Sequence, residues 1–119
     1  MPWDIEGTRE FADWYGALEV DEQASLDESI DLLIEYGPSL GRPHVDTIRQ
    51  SSFSNMKELR TQIAGRPLRT FFAFDPRRSA ILLIGGDKTG DDRFYERMVP
   101  IADRLYATHL EELKAEDLI

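Results

Sequence analysis

The sequence predicts an α+β domain with elements in the order βααβββα, and three observations carry that prediction. Two apolar stripes at helical spacing occupy the chain before residue 37. Three strand-like runs then succeed one another through residues 57–85, separated only by short, turn-rich links. A last amphipathic helical pattern follows Pro100. With 119 residues and 41% hydrophobic content, one compact domain spanning 1–119 is expected, its helices packed against one face of the sheet.

Taken in order, "WDIE" is a first strand, brief enough for a sheet edge. Thr8 offers an N-cap, and Phe11, Trp14, Tyr15 and Leu18 follow at i, i+3, i+4, i+7 spacing. Asp21 can cap a second helix with an apolar stripe of Leu26, Ile30, Leu33 and Ile34, which Gly37-Pro38 stops. The pair reads as an αα-hairpin with an acidic outside. Residues 38–55 form one long irregular connection with room for a short strand at "VDTIRQ". Then come "KELRTQI" (57–63), "LRTFFAF" (68–74) and "SAILLIG" (79–85), most simply an antiparallel meander. The third run is apolar on both faces and belongs deep in the sheet. Asp91 or Asp92 can cap a short turn around Phe94–Met98. Pro100 suits the first turn of a longer helix carrying Ile101, Leu105, Tyr106, His109, Leu110 and Leu113.

Composition narrows the function classes. The chain has no cysteine, which excludes disulfides, thiolate metal sites and cysteine nucleophiles, and only two histidines, His44 and His109. No apolar run approaches the ~20 residues a bilayer span needs, and "MPWDIEGTRE" lacks the pattern of a signal peptide, so a cytoplasmic protein without a membrane is expected. Charge is very uneven. The net is −9, yet residues 57–88 hold seven cations against three acids, a balance of +4 that leaves −13 for the rest. In residues 1–36, Arg9 is the one cation among eleven acids. The total argues against nucleic acid, while the local excess is fit to hold phosphate.

Strand alternation sorts those cations. Glu58, Arg60 and Gln62 share one face of the first hairpin strand, and Arg69, Phe71 and Ala73 share one face of the second. With a turn centred on Gly65-Arg66, Gln62 pairs with Arg69 and Arg60 lies next to them. A two-residue slip keeps the arginines on that face; a one-residue slip does not. Two guanidinium groups so close repel unless an anion lies between them. Glu58 is one candidate and a phosphate, which arginine binds bidentately, is the other.

Several motifs have a family resemblance. "NMKELR" entering the sheet, "LRTFFAFDP" and "AILLIGGDK" as successive strands, the closing "IADRLYATHL" helix and the preceding "YGPSLGRPHVD" together cover about residues 33–110. On these the chain resembles toxins of the RelE/ParE superfamily, in the HigB-like, phage-derived branch of type II toxin–antitoxin systems. The resemblance implies a RelE-like fold, with an antiparallel sheet, an N-terminal αα-hairpin and a C-terminal helix. It also implies a cognate helix-turn-helix (HigA-like) antitoxin and cleavage of mRNA, on the ribosome in most relatives, by an endoribonuclease (mRNA interferase) that uses no metal and no cofactor. Relatives of the ParE type inhibit DNA gyrase on the same fold. A non-catalytic binding module of that kind, or a degenerate toxin that only binds its partner, is the alternative.

Carried onto these residues, the resemblance makes Arg60 and Arg69 a phosphate clamp, Lys88 a charge stabiliser and Tyr95 the proton donor, with Lys57, Arg66 and Arg77 as further RNA contacts. The chemistry asks for such groups: cations for charge building on phosphoryl oxygens, and a proton for the leaving 5′-oxygen. Plainer roles stand beside these. Lys57 falls on the Leu59 face and suits a solvated strand start; Arg66, Arg77 and Arg78 occupy turns; Tyr95 fits beneath the last helix; His109 fits a core edge. "GGDKTG" lacks the spacing of a phosphate-binding loop and is set aside.

Overall fold

A computed structural model describes residues 2–119. The first strand, β1 (Ile5–Gly7), is an edge strand, as its length predicts. Thr8 then caps α1 (Arg9–Gly16): its Oγ1 accepts the Phe11 N–H at 3.0 Å and its hydroxyl donates to the Leu83 carbonyl at 2.5 Å. Helix α2 (Val20–Tyr36) starts two residues earlier than the Asp21 cap would allow. Glu19 and Glu22 form a reciprocal capping box, with the Glu19 N–H donating to Glu22 at 2.9 Å, so Asp21 lies in the first turn instead. Gly37 ends the helix with φ of 56°, and a Cβ there would fall 2.3 Å from the Trp3 ring.

Of four further strands, β3 (Lys57–Ile63), β4 (Arg66–Phe74) and β5 (Ala80–Asp87) form the predicted antiparallel meander. The fourth, β2 (Val45–Thr47), is a strand the order βααβββα lacks; it lies in the long connection, where the sequence leaves room for one, and pairs antiparallel with β3. The sheet order is β1-β5-β4-β3-β2, and β1 joins β5 in parallel. The β3–β4 turn is Ala64-Gly65, with φ of 48° and 78°, the left-handed pair that suits a two-residue hairpin. That moves the register two residues from the expected one: Gln62 faces Pro67, and Arg60 stands directly opposite Arg69. The slip preserves the face, so the arginines remain neighbours.

Helices cover both faces of the sheet, not one. Helices α1 and α2 pack over Leu59, Phe72, Ala80 and Leu82, while α3 (Phe94–Ala115) packs over Phe71, Ala73, Ile81 and Leu83. The reason lies in β4. It is the central strand, and Leu68 through Ala73 are all buried, so each side needs its own cover. Helix α3 is a single helix from Phe94. Neither Asp91 nor Asp92 is its N-cap, and Pro100 sits inside it. The proline removes one helical hydrogen bond on an exposed position, and burial of Phe94, Met98, Val99 and Ala102 keeps the helix continuous across it.

One irregularity sets how α3 meets the sheet. Phe71 pairs with Ile84 but Phe72 with Leu82, leaving Leu83 as an extra residue in β5. The bulge brings Gly86 opposite Arg69 on the α3 face, where a Cβ would meet the Phe94 ring at 2.9 Å. A bare glycine lets Phe94 seat there, and the start of α3 comes down over the arginines.

Candidate anion site on the α3 face

Alternation places Glu58 and Arg60 of β3 and Arg69 of β4 on the α3 face, and the first turn of α3 adds Tyr95. Glu58 is the hub. Its Oε2 lies 3.2 Å from Arg60 Nη2, and its Oε1 lies 3.3 Å from Arg69 Nε and accepts the Tyr95 hydroxyl at 2.6 Å. Glu58 is 3% exposed and Arg69 9%. Arg60 reaches outward as well, to Asp46 Oδ2 at 3.3 Å, which Arg42 also holds at 2.8 Å. The ammonium of Lys88, at the mouth of β5, stands 5.3 Å from the centre of the Tyr95 ring. Asp46, Glu58, Arg60, Lys88 and Tyr95 line a cleft of about 320 Å3.

The electrostatics are unbalanced. One buried carboxylate faces two guanidinium groups, and the Nε of both Arg60 and Arg69 is buried without a hydrogen-bond partner. Asp46 is held below the usual carboxylate range, chiefly by its bond from Arg42, so it stays ionised and takes up part of the Arg60 charge. Burial, followed by the bond to Glu58, raises the Tyr95 phenol above its ordinary value. At neutral pH Tyr95 therefore keeps its proton, and that proton is directed at Glu58.

Four of the seven residues singled out in the sequence thus come together: Arg60, Arg69, Lys88 and Tyr95. The other three do not. Lys57 lies on the opposite face, across from Phe72. Arg66 is at the hairpin end, 3.4 Å from the buried Glu22. Arg77 belongs to a second cluster beyond the far end of β4, bonded to Asp75 at 2.8 Å and Glu6 at 2.5 Å. Asp75 there also meets His109 Nε2 at 2.8 Å. Sequence reasoning missed the part of Asp46. Its signal was pairing across β2 and β3, which sets Asp46 beside Glu58, but a three-residue strand gave too little pattern to read.

Comparison with known proteins supplies relatives for this chain. The Gp49-like family of phage-derived proteins matches residues 13–107. HigB3 of Mycobacterium tuberculosis, named as a toxin, is 54% identical over 92 residues, covering 76% of this chain and 79% of the relative. HigB2 of the same organism, likewise named, is 41% identical over 103 residues, covering 85% of this chain; the alignment spans about half, 51%, of that longer protein. Among solved structures, an arginine double mutant of the Escherichia coli toxin RelE in the free state superposes with a TM-score of 0.58 at 9% identity, covering 82% of this chain and 96% of RelE. A chain of the archaeal RelE–RelB complex from Pyrococcus horikoshii gives 0.53 at 12% identity, covering 76% and 99%. The last two share the fold alone.

Proposed function

We propose a function from a plain premise: the chain belongs to the Gp49-like family of phage-derived proteins, in the HigB-like branch of the RelE-superfamily toxins. As such it is the toxin of a toxin–antitoxin pair. The finer reading is a cytoplasmic mRNA endoribonuclease that works without a metal, acts on the ribosome and is neutralised by a helix-turn-helix, HigA-like antitoxin.

The observation that carries this reading is the direct pairing of Arg60 with Arg69, each with a buried Nε–H that makes no hydrogen bond, in a protein otherwise strongly acidic. In RNA cleavage the ribose 2′-oxygen attacks the neighbouring phosphorus, its proton passes to solvent water, and the bond from phosphorus to the 5′-oxygen breaks. Charge gathers on the phosphoryl oxygens. Arg60 and Arg69 offer fixed donors for it, and Lys88 adds a third cation at the mouth of the cleft. Tyr95, protonated at neutral pH, supplies a proton to the departing 5′-oxygen. The test is induced expression of wild type and Arg69→Ala, with mapping of cellular mRNA 5′ ends. New ends inside reading frames are expected only with wild type, together with growth arrest that Arg69→Ala loses while it still folds and binds antitoxin. Arrest that survives in Arg69→Ala sinks the clamp.

One observation favours a second reading. Glu58 already neutralises part of the arginine pair and takes the Tyr95 hydrogen bond, as a site kept only for its architecture would. A non-catalytic module, inhibiting gyrase as ParE-like toxins do or binding only its partner, gives arrest without new mRNA ends, or no arrest at all.

A further inference from the structure

Glu58 has an unusual position for a carboxylate beside a phosphate clamp. Its two oxygens are divided between the two arginines, Oε2 toward Arg60 and Oε1 toward Arg69, and Oε1 also accepts the Tyr95 hydroxyl. Those are the contacts a phosphate would make in the proposed reaction. Yet the match is incomplete. Both separations to the guanidinium groups, 3.2 and 3.3 Å, exceed the ~2.7–2.9 Å of a well-made charge-assisted bond; Arg69 Nε faces Glu58 without a formed hydrogen bond, and Arg60 Nε has no partner. A planar carboxylate on a short strand-borne side chain spans the two forks without filling either. A tetrahedral phosphate offers more oxygens in more directions.

We infer that Glu58 is an internal stand-in for the RNA phosphate: it occupies the clamp in the free toxin and gives it up when a phosphodiester enters. The inference rests on the proposed reading for the identity of that anion. Two consequences come with it. Glu58 keeps the buried Arg69 and the half-buried Arg60 guanidinium groups from repelling one another before substrate arrives, so the clamp is preformed. It also competes with substrate, so resting affinity for phosphate is low. The exchange couples binding to chemistry as well. When Glu58 leaves, the Tyr95 hydroxyl loses its acceptor and its proton becomes available to the oxygens that replace the carboxylate. Neighbouring groups permit the exchange: the cleft opens at Lys88 and Arg60, and Asp46 retains its hold on Arg60 from the other side.

The probe is a 2′-deoxy dinucleotide, which carries the phosphodiester and lacks the attacking hydroxyl, with inorganic phosphate as a second arm. Glu58→Gln is expected to bind the dinucleotide at least ~10-fold more tightly than wild type, since it keeps the shape and removes the competing charge. Adding Arg69→Ala to Glu58→Gln should erase the gain. In wild type, the carbon-13 carboxyl resonance of Glu58 is expected to shift on saturation with the dinucleotide, a reading that needs no variant to fold. The inference is overturned by an unchanged affinity in Glu58→Gln, by a gain that survives without Arg69 or appears for inorganic phosphate alone, or by a Glu58 resonance that stays in place at saturation. Failure of the cleavage reading is separate: absent mRNA ends beside a tightened dinucleotide site would leave the exchange standing and remove the reaction.

Discussion

Two buried carboxylates organise the charged residues of the α3 face, and they differ in how completely they are satisfied. Asp75 is saturated. Its Oδ1 accepts the Arg77 N–H at 2.8 Å and its Oδ2 accepts Arg77 Nη2 and meets His109 Nε2, both at 2.8 Å. Glu58 is held more loosely: Arg60 Nη2 and Arg69 Nε stand 3.2 and 3.3 Å from it, and the Nε–H of neither arginine makes a hydrogen bond. A closed set of contacts fixes structure, here the end of β4 to the C-terminal half of α3. An open set invites a ligand. The same residue types, arginine and carboxylate, therefore do two jobs in one small domain, and the difference lies in stoichiometry rather than in composition.

The most damaging way to probe that contrast is Asp75→Ala, which leaves Arg77 and His109 facing an uncompensated buried position. A loss of about 3 kcal/mol is expected, read as a lower urea midpoint at unchanged slope, with growth arrest retained by whatever protein folds. A loss under about 1 kcal/mol would break the comparison. Acid sharpens it. Burial pushes the Asp75 carboxyl up, but the bonds from Arg77 and His109 outweigh it and hold the group below the usual carboxylate range. A depressed folded value stabilises the protein above the ordinary unfolded value near ~4 and ceases to do so as pH falls through the folded one. The stability difference between wild type and Asp75→Asn, followed by urea titration at successive pH values, should therefore shrink below about pH 4. A constant difference would mean that the network does not act through the charge of Asp75. The smallest effect is expected for Arg66→Ala, whose half-exposed pairing with Glu22 contributes less than about 1 kcal/mol. Growth arrest should be unchanged by it; arrest lost with the fold intact would extend the RNA surface to the hairpin tip.

Much of this architecture was legible in the residues. Thr8 announced α1, Gly37 ended α2, and the alternation of "KELRTQI" and "LRTFFAF" placed Arg60 and Arg69 on one face. The register was not legible, because the turn uses an alanine, Ala64, in the left-handed region where glycine is expected. The two-sided burial of β4 was obscured by Arg69 and Thr70, adjacent polar residues on opposite faces that are both buried. Pro100 pointed to a helix start because a proline's local preference is visible in sequence, while the packing of Phe94 and Met98 that overrides it is not. At the site, Glu58 was visible as a possible counter-ion. Its role as hub depended on Tyr95, 37 residues away, and so on the bulge at Leu83 that sets how α3 descends.

The parallel pairing of β1 with β5 has a consequence for the order in which the molecule comes into being. Ile5 pairs with Ala80, and Thr8 bonds to the carbonyls of Leu82 and Leu83, so the earliest residues wait for partners some 75 positions later. At synthesis rates of about 5–20 residues per second, that interval lasts roughly 4–15 s. During it the sheet edge stays unpaired, α1 lacks the β5 surface it packs on, and Lys88 and Tyr95 do not yet exist. High contact order thus acts as a delay. From Tyr36 to Tyr95, about half of its passage, a ribosome making this toxin handles a chain that has its acidic N-terminal segment and lacks a complete cationic site.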